Sequence, residues 1–400
     1  MRIALVAPFG LRAKGSTRAR VLPLAKALAR RGYDVALLIP PYDSPQDSGR
    51  CWTEQGVTIQ HMHWPATGGE VGKGWGPGRA RHHLALAVEL WRAVRAWQPR
   101  LVHVFKPKGP SGLIATMLWI RRSLARKRLA AEDAPLLVVD TDDWEGPGGW
   151  SDDPRLGYTR WQRWFFAWQE RFGLSHADAW TVASPCLRER AIQFGAHPER
   201  VFVLPNGVEP DPVTLSAAEA HVGSRSVLLY TRFAGVCPAD VAAVWLRVRQ
   251  ELPDARLTVA GRGLAGEEEA LGRLPGVELK GWVQADQLAD VLRSGDVALV
   301  LWADTPANRA RSSAKVRQLM AAGLAIVGYA VGELPATLAD SAVLVPVGDV
   351  DACAQAVVGL LKDPLRAREL GAQARQRVLA HFTWDRLAGI ALDAYAAAGL

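Results

Sequence analysis

Residues 1–39, MRIALVAPFGLRAKGSTRARVLPLAKALARRGYDVALLI, decide the fold class. Arg2 to Ala7 is apolar after its first residue, which predicts a strand buried on both faces. Pro8 to Ser16 reads as a loop holding Gly10, Lys14 and Gly15. Apolar residues then recur at helical spacing from Thr17 to Arg31, and Gly32 supplies the usual C-terminal stop. Asp34 to Ile39 is the next strand. Strand, glycine-bearing loop, helix, strand is the opening of a parallel, doubly wound α/β sheet. The first ten residues resemble a signal peptide only superficially, because their apolar stretch is short and Pro-Phe-Gly ends it.

The same alternation continues outward. Leu101–Phe105 and Leu136–Asp140 read as strands with a helix between them. A second start lies at Ser226, where Val227–Tyr230 is a strand and Ala239–Glu251 a helix. Arg256–Ala260 then ends in Gly261-Arg262-Gly263, and strands follow at Val277–Lys280 and Asp296–Trp302. A helix at Ser313–Ala322 leads through Gly323 to a strand at Leu324–Tyr329. The loop-like DPVTLSAAEAHVGS, residues 211–224, separates the halves. The expected division is 1–206, an acceptor-binding domain, then 207–380, a donor domain. Residues 381–400 form a C-terminal helix packing back toward the first domain. Two Rossmann-like domains would present the C-terminal ends of their sheets to one cleft, where open α/β sheets bind ligands.

Length and composition agree. At 400 residues the chain exceeds one ordinary core. With 49% hydrophobic and 22% charged residues it is neither disordered, collagen-like nor a disulfide scaffold. The formal charge of +8 favours anionic partners: phosphate esters, lipid headgroups or nucleic acid. Cys51, Cys186, Cys237 and Cys353 lie far apart, with no CxxC and no Cys/His cluster, so a zinc site is not expected. They read as reduced thiols of a cytoplasmic protein. No run approaches the ~18 apolar residues of a membrane span.

The order of segments in the second half carries a family likeness. LLYTRF (228–233), ARLTVAGRG (255–263), VELKGWV (277–283), SGDVALVLW (294–302), SSAKVRQLMAAGLAIVGYAVGELP (312–335) and VLVPVGDVDACAQAV (343–357) resemble the donor half of family 4 glycosyltransferases. The glycine loop, ADAWTVASPCLRERA (177–191), VFVLPNGVEP (201–210) and FTWDRLA (382–388) agree with it. The resemblance implies a GT-B fold, two Rossmann-like domains with parallel doubly wound sheets facing across a cleft. It also implies transfer of a sugar from a nucleotide-diphosphate sugar to a glycan, lipid-linked or small-molecule acceptor. Configuration would be retained, with no cofactor and no metal.

Physical need picks out residues within that frame. Departure of a nucleoside diphosphate develops charge on phosphate, which an Arg fork, a Lys point charge and a helix N-terminus can meet. Arg232, after the first strand of the second half, and Lys315, opening the helix with MAAG, suit this role. Gly10, Lys14 and Gly15 would complete the anion site. In similar proteins the position of Trp282 and Val283 flanks the base; a core aromatic is the alternative. The family's two Glu, eight residues apart, are replaced here by Ala310 and Gln318, and its Lys after the first Arg by Cys237. Asp304, Asn308, Arg309 and Arg311 stand as substitutes facing sugar or phosphates, and Gln318 can bond a ribose hydroxyl. These losses keep a non-catalytic nucleotide-binding subunit, and a sugar-nucleotide epimerase, as alternatives.

In the first half, VVDTDDWEGPGGW (138–150) places Asp140, Asp142, Asp143 and Glu145 at a strand end. Asp142 and Asp143 stand where many relatives have His-Asp, facing the transferred sugar. They would position sugar or acceptor hydroxyls; a solvated acidic loop is the alternative, and a metal site is disfavoured. HVFKPKGPSG (103–112) offers Lys106 and Lys108 for an anion or acceptor, with His103 a structural residue. From Arg79 to Arg128 twelve Lys or Arg accompany one acidic residue, Glu89, with Trp91, Trp97 and Trp119 interleaved. WIRRSLARKRL (119–129) reads as a basic amphipathic helix, either at an anionic membrane surface or simply solvated. No nucleic-acid motif accompanies it, so nucleic acid is not an expected partner.

Overall fold

The computed structural model describes all residues except 12–14, 42–43, 65–76, 128–133, 210–222 and 285, and the backbone alone of 77–79. Lys14 therefore lies outside the described residues. The chain forms two compact units. The first comprises Met1–Asn206, Ala310–Ser312 and Trp384–Leu400; the second comprises Gly207–Arg309 and Ser313–Thr383.

Unit one contains β1 (Arg2–Val6), α1 (Leu22–Arg30), β2 (Asp34–Ile39), β3 (Cys51–Glu54), β4 (Val57–His61), α2 (Pro77–Trp97) and β5 (Leu101–Phe105). It continues through α3 (Pro110–Lys127), β6 (Leu136–Thr141), α4 (Arg160–Ser175), β7 (Ala179–Val182), α5 (Pro185–Gln193) and β8 (Val201–Val203). The strand order is β3-β4-β2-β1-β5-β6-β7-β8. The β3–β4 pair is antiparallel and the other pairs are parallel. Alternation within β1 explains its apolar run. Ile3 and Leu5 face a core layer shared with α1 and the C-terminal helix, Trp384–Ala398. Ala4 and Val6 face the other layer, with α2, α3 and α5. The predicted helix from Thr17 begins as a π-turn, Thr17–Val21, before α1; Pro23 in the first turn of α1 has no N–H to continue a regular ladder backward.

Unit two contains β9 (Ser226–Tyr230), α6 (Pro238–Glu251), β10 (Arg256–Ala260), α7 (Glu267–Gly272), β11 (Val277–Gly281), α8 (Leu288–Arg293) and β12 (Val297–Val300). Then come α9 (Pro306–Ala310), α10 (Ala314–Ala321), β13 (Ala325–Tyr329), α11 (Leu334–Leu338), β14 (Val343–Val345), α12 (Val350–Lys362) and α13 (Pro364–His381). Its parallel sheet runs β11-β10-β9-β12-β13-β14. In each sheet the order reverses once, beside β1 and β5 in unit one and beside β9 and β12 in unit two. The carboxyl ends of those strands are where such folds take ligands.

Two stretches beyond residue 206 belong to unit one. Trp384–Leu400 belongs to unit one because Trp384, Leu387, Ala391 and Tyr395 fill its core. Ala310–Ser312 also belongs to unit one rather than to the donor half. Ala310 is fully buried there, and its carbonyl accepts from Ser184 Oγ at 2.7 Å. Ser312 accepts from Asn206 through both its hydroxyl and its carbonyl. Among the described residues no helix is long and apolar enough to cross a membrane.

Candidate active site

The carboxyl edge of the first sheet is built around buried charge. Arg20, on the inward face of the π-turn, is 1% exposed and grips Asp140 with Nε at 2.8 Å and Nη2 at 2.6 Å. It also donates to the Leu204 carbonyl and to Asn206 Oδ1. Asp140 accepts a further bond from Thr181 Oγ1 at 2.5 Å. His103 lies between Thr181 Oγ1 and the Tyr395 hydroxyl, and burial, then Arg20, push its pKa well below the ordinary value. It is neutral and structural. Asp140 is likewise occupied and is not a site residue.

Beyond it, Lys106 Nζ faces three carboxylates: Asp143 at 2.6 Å, Glu145 at 3.3 Å and Asp142 at 3.4 Å. Burial would lower the Lys106 pKa, but the three carboxylates outweigh it and hold the ammonium well above the ordinary range. Lys108 Nζ bonds Glu145 at 2.8 Å and Ser151 at 3.2 Å, over the rings of Tyr158 and Phe166. Burial would raise the Glu145 carboxyl, but Lys108 and Lys106 hold it down at about 2. Glu170 of α4 accepts the Glu145 N–H at 2.7 Å, and burial, then Glu145, hold its carboxyl protonated well above the usual range. Lys106 and Lys108 were expected to take an anion or an acceptor. They are instead consumed by this network, because a buried ammonium needs a counter-charge. Asp142 and Asp143 stand at the strand end as hydrogen-bond acceptors facing Lys106, Asp143 the more exposed.

The loop after β1 contributes Gly10, which is buried, and Gly15, whose carbonyl accepts the N–H groups of Arg18 and Ala19 and so starts the π-turn. Gly15 is thus a helix entry.

The second sheet's carboxyl edge holds the predicted cations. After Tyr230 the Thr231 hydroxyl accepts the Phe233 N–H at 2.9 Å. Phe233 sits at φ +54° with its ring fully buried, and Arg232 is exposed. Gly261 is required beside it, since a Cβ would lie 1.8 Å from the Thr231 carbonyl oxygen. Lys315, in the first turn of α10, places Nζ 4.7 Å from the centre of the Tyr230 ring. That contact brings Lys315 to the end of β9, two residues before Arg232. Ser313 caps α10 by accepting from Val316, and its own N–H reaches Glu333. Arg317, fully buried, bonds both oxygens of Glu333 at 3.1 and 3.3 Å. This buried pair fixes the helix start that presents Lys315 and the half-buried Gln318.

The other expected contacts divide. Trp282 follows Gly281 at the end of β11, half-buried and outside the core cluster, whereas Val283 packs against that core. Asn308 is not open to a donor. It is fully buried, and its amide donates to the carbonyls of Gly235 and Ala303. Arg309 and Asp304 form an exposed two-bond pair at 2.5 and 2.7 Å. Arg311, in unit one, stacks over Trp150. The residues missed from sequence are Arg20, Glu170, Arg317 and Glu333. For the first there was a signal: Arg20 shares a helical face with Leu24 and Leu28.

Known proteins resemble this chain along its length. The family model "Glycosyl transferase 4-like domain" matches residues 15–207, and "Glycosyl transferase-like" matches residues 243–393. The MMP alpha-(1->4)-mannosyltransferase of Mycolicibacterium hassiacum is 26% identical over 58% of this chain and 58% of its own length. The match thus spans little more than half of that relative. The phosphatidyl-myo-inositol mannosyltransferase of Mycolicibacterium smegmatis is 26% identical over 94% of this chain and 89% of its own. Among solved structures, sucrose-phosphate synthase from Thermosynechococcus elongatus superposes with a TM-score of 0.74 at 19% identity, covering 99% of this chain and 98% of that one. With two parallel doubly wound units and both halves matched in order, the chain belongs to the family 4-like glycosyltransferases of GT-B fold.

Proposed function

We propose that this protein is a retaining glycosyltransferase, moving a hexosyl group from a nucleotide-diphosphate sugar to an acceptor hydroxyl. The observation that carries the reading is the edge of the second sheet. There Lys315, in the first turn of α10, packs its ammonium over Tyr230 at the end of β9, two residues before the exposed Arg232, beside the point where strand order reverses. In the reaction the bond from the anomeric carbon to the phosphate oxygen breaks and a bond to the acceptor oxygen forms on the same face. The departing phosphate takes the acceptor proton. Arg232 and Lys315 stabilise the charge that develops on it. Gln318 bonds the ribose, Trp282 flanks the base, and Asp142 and Asp143 accept hydroxyl hydrogen bonds from sugar or acceptor. No metal takes part: the carboxylates at the first sheet's edge face ammonium groups, the counter-charge a cation would otherwise supply.

The acceptor is a glycan or a lipid-linked hydroxyl, in keeping with a relative named for phosphatidyl-myo-inositol. The protein works in the cytoplasm and approaches an anionic membrane surface through basic residues within 79–130. That face is narrower than its sequence suggests: Arg122 is buried against Asp178 at 2.5 Å, and Arg126 pairs with the same carboxylate. A second reading, a nucleotide-binding subunit without transfer, draws on Ala310, buried in the core at a position where the family resemblance implies a carboxylate.

Arg232→Ala and Lys315→Ala should each lower turnover by about one to three orders of magnitude, with unfolding midpoints unchanged. Release of nucleoside diphosphate from a panel of sugar nucleotides measures this. Full activity in both variants overturns the assignment. Nucleotide binding without transfer or donor hydrolysis selects the second reading.

A further inference from the structure

Helix α4, RWQRWFFAWQERFGLS, is apolar on the side that faces water. Its inward side carries Gln162, Gln169 and Glu170, all buried, beside Phe166 and Leu174. Its outward side carries Trp161 at 73% exposure, Trp164 at 61% and Trp168 at 38%. At ~100° per residue, positions 161, 164, 165, 168 and 172 fall in one stripe. The rings form two runs along this stripe, a Trp161–Trp164 pair and a series from Phe165 to His176. Centroid distances are 6.3 Å for Trp161–Trp164, 5.9 Å for Phe165–Trp168, 5.5 Å for Trp168–Phe172 and 4.1 Å for Phe172–His176. The neighbouring helix α3 extends it through Trp119, edge-on to His176, with Ile120 and Leu124 half-exposed.

Scattered surface hydrophobics need no explanation, but a contiguous aromatic stripe does. Charge identifies what covers it. The only acidic residue of α4 is Glu170, which is buried, and α3 has none. Arg160 and Arg171 flank the stripe, and Lys127 ends α3. Tryptophan with flanking cations, on helices that expose no carboxylate of their own and with the nearby Asp152 paired to Arg163, matches the headgroup layer of an anionic bilayer. We propose that the outward face of α4 is a membrane-insertion surface for anionic lipid. This rests on the membrane part of the proposed function and moves its principal contact from the basic stretch to the aromatic one. The inward face then acquires a purpose. Gln169 brackets Gly109 through its N–H and its carbonyl, and Glu170 holds the Glu145 N–H. One helix therefore ties the lipid-facing surface to the carboxylates that would receive a lipid-linked acceptor.

Co-sedimentation of the full chain with phosphatidylglycerol and with phosphatidylcholine vesicles tests the proposal. The comparison set is wild type, the triple variant Trp161→Ser, Trp164→Ser, Trp168→Ser, and the double variant Arg121→Glu, Lys127→Glu. Wild type should partition onto phosphatidylglycerol, and brominated lipid should quench its tryptophan emission. The triple variant should partition about tenfold more weakly or less, and lose that quenching, with its circular dichroism unchanged. The double variant should retain quenching and weaken mainly by losing salt-sensitive attraction. Equal partitioning of wild type and triple variant overturns the proposal. So does loss of partitioning in the double variant alone, which returns the contact to the basic stretch. Absence of wild-type partitioning overturns both membrane readings. A dimer in free solution that the triple variant converts to monomer assigns the face to a second copy instead. Donor hydrolysis, measured in all three proteins, stands or falls separately from these outcomes.

Discussion

Arg20 and Glu170 are opposite solutions to burying a charge. Arg20 keeps its charge, and burial, which would lower its pKa, is outweighed by Asp140. Removing one partner of such a pair leaves the other uncompensated, which typically costs about 3–5 kcal/mol. Glu170 gives its charge up. Its pKa is raised by burial and by Glu145, so the folded form holds a proton that the unfolded chain loses near the ordinary value of 4.5. A raised carboxyl favours the fold at low pH, and that contribution is lost as pH rises from the unfolded value toward the folded one. Glu170→Gln keeps an acceptor for the Glu145 N–H and removes the titration. The variant should match wild type near pH 4 and melt at higher temperature near pH 8. Melting curves at the two pH values check this; equal melting temperatures at both would show that Glu170 is not held protonated.

At the scale of elements, α9 and α10 carry the two positions, Ala310 and Gln318, where the family resemblance implies a pair of glutamates. Ala310, where the family resemblance implies a glutamate, is buried in the core of unit one with its carbonyl bonded to Ser184. Placing a glutamate there should therefore harm the protein. Ala310→Glu introduces an unpaired buried carboxylate, and several kcal/mol of destabilisation is expected. Urea unfolding should give a lower midpoint and assays no gain in transfer; a more active, equally stable variant would mean that this position faces the ligand. Gln318 is different, since it is half-buried on α10 and follows Lys315 by three residues. The helix start carrying both is held by Arg317 and Glu333 rather than by its own length of eight residues.

For the whole molecule, the last helix matters most. Trp384–Ala398 lies in unit one and adds Trp384, Leu387, Ala391 and Tyr395 to its core. Tyr395 also bonds His103, continuing the chain through Thr181 to Asp140 and Arg20. Burying each large side chain contributes about 1.5–3 kcal/mol. Deleting residues 384–400 should lower the melting transition of unit one and leave that of unit two in place. Calorimetry with limited proteolysis distinguishes them, and an unshifted first transition would show that the helix is dispensable.

The parallel sheets, the helix beginning near Thr17 and the cations Arg232 and Lys315 at a strand end and a helix start were legible from sequence. They follow from local rules: apolar runs mark strands buried on both faces, and glycine and helix-start residues mark the turns between them. The family's segment order added the GT-B arrangement. What remained hidden depended on partners distant in sequence. Lys106 and Lys108 read as ligand-binding cations until the chain brought Asp142, Asp143 and Glu145 against them. Asn308 read as a donor contact until the Gly235 carbonyl claimed its amide. The outward tryptophans of α4 depended on the same thing, because tertiary packing buried the helix's glutamines and glutamate and left Trp161, Trp164 and Trp168 exposed. Pattern within a segment determines which elements form, because backbone hydrogen bonding and burial act locally. Which polar groups remain to meet a ligand is decided only when distant segments have satisfied one another's charges and hydrogen bonds.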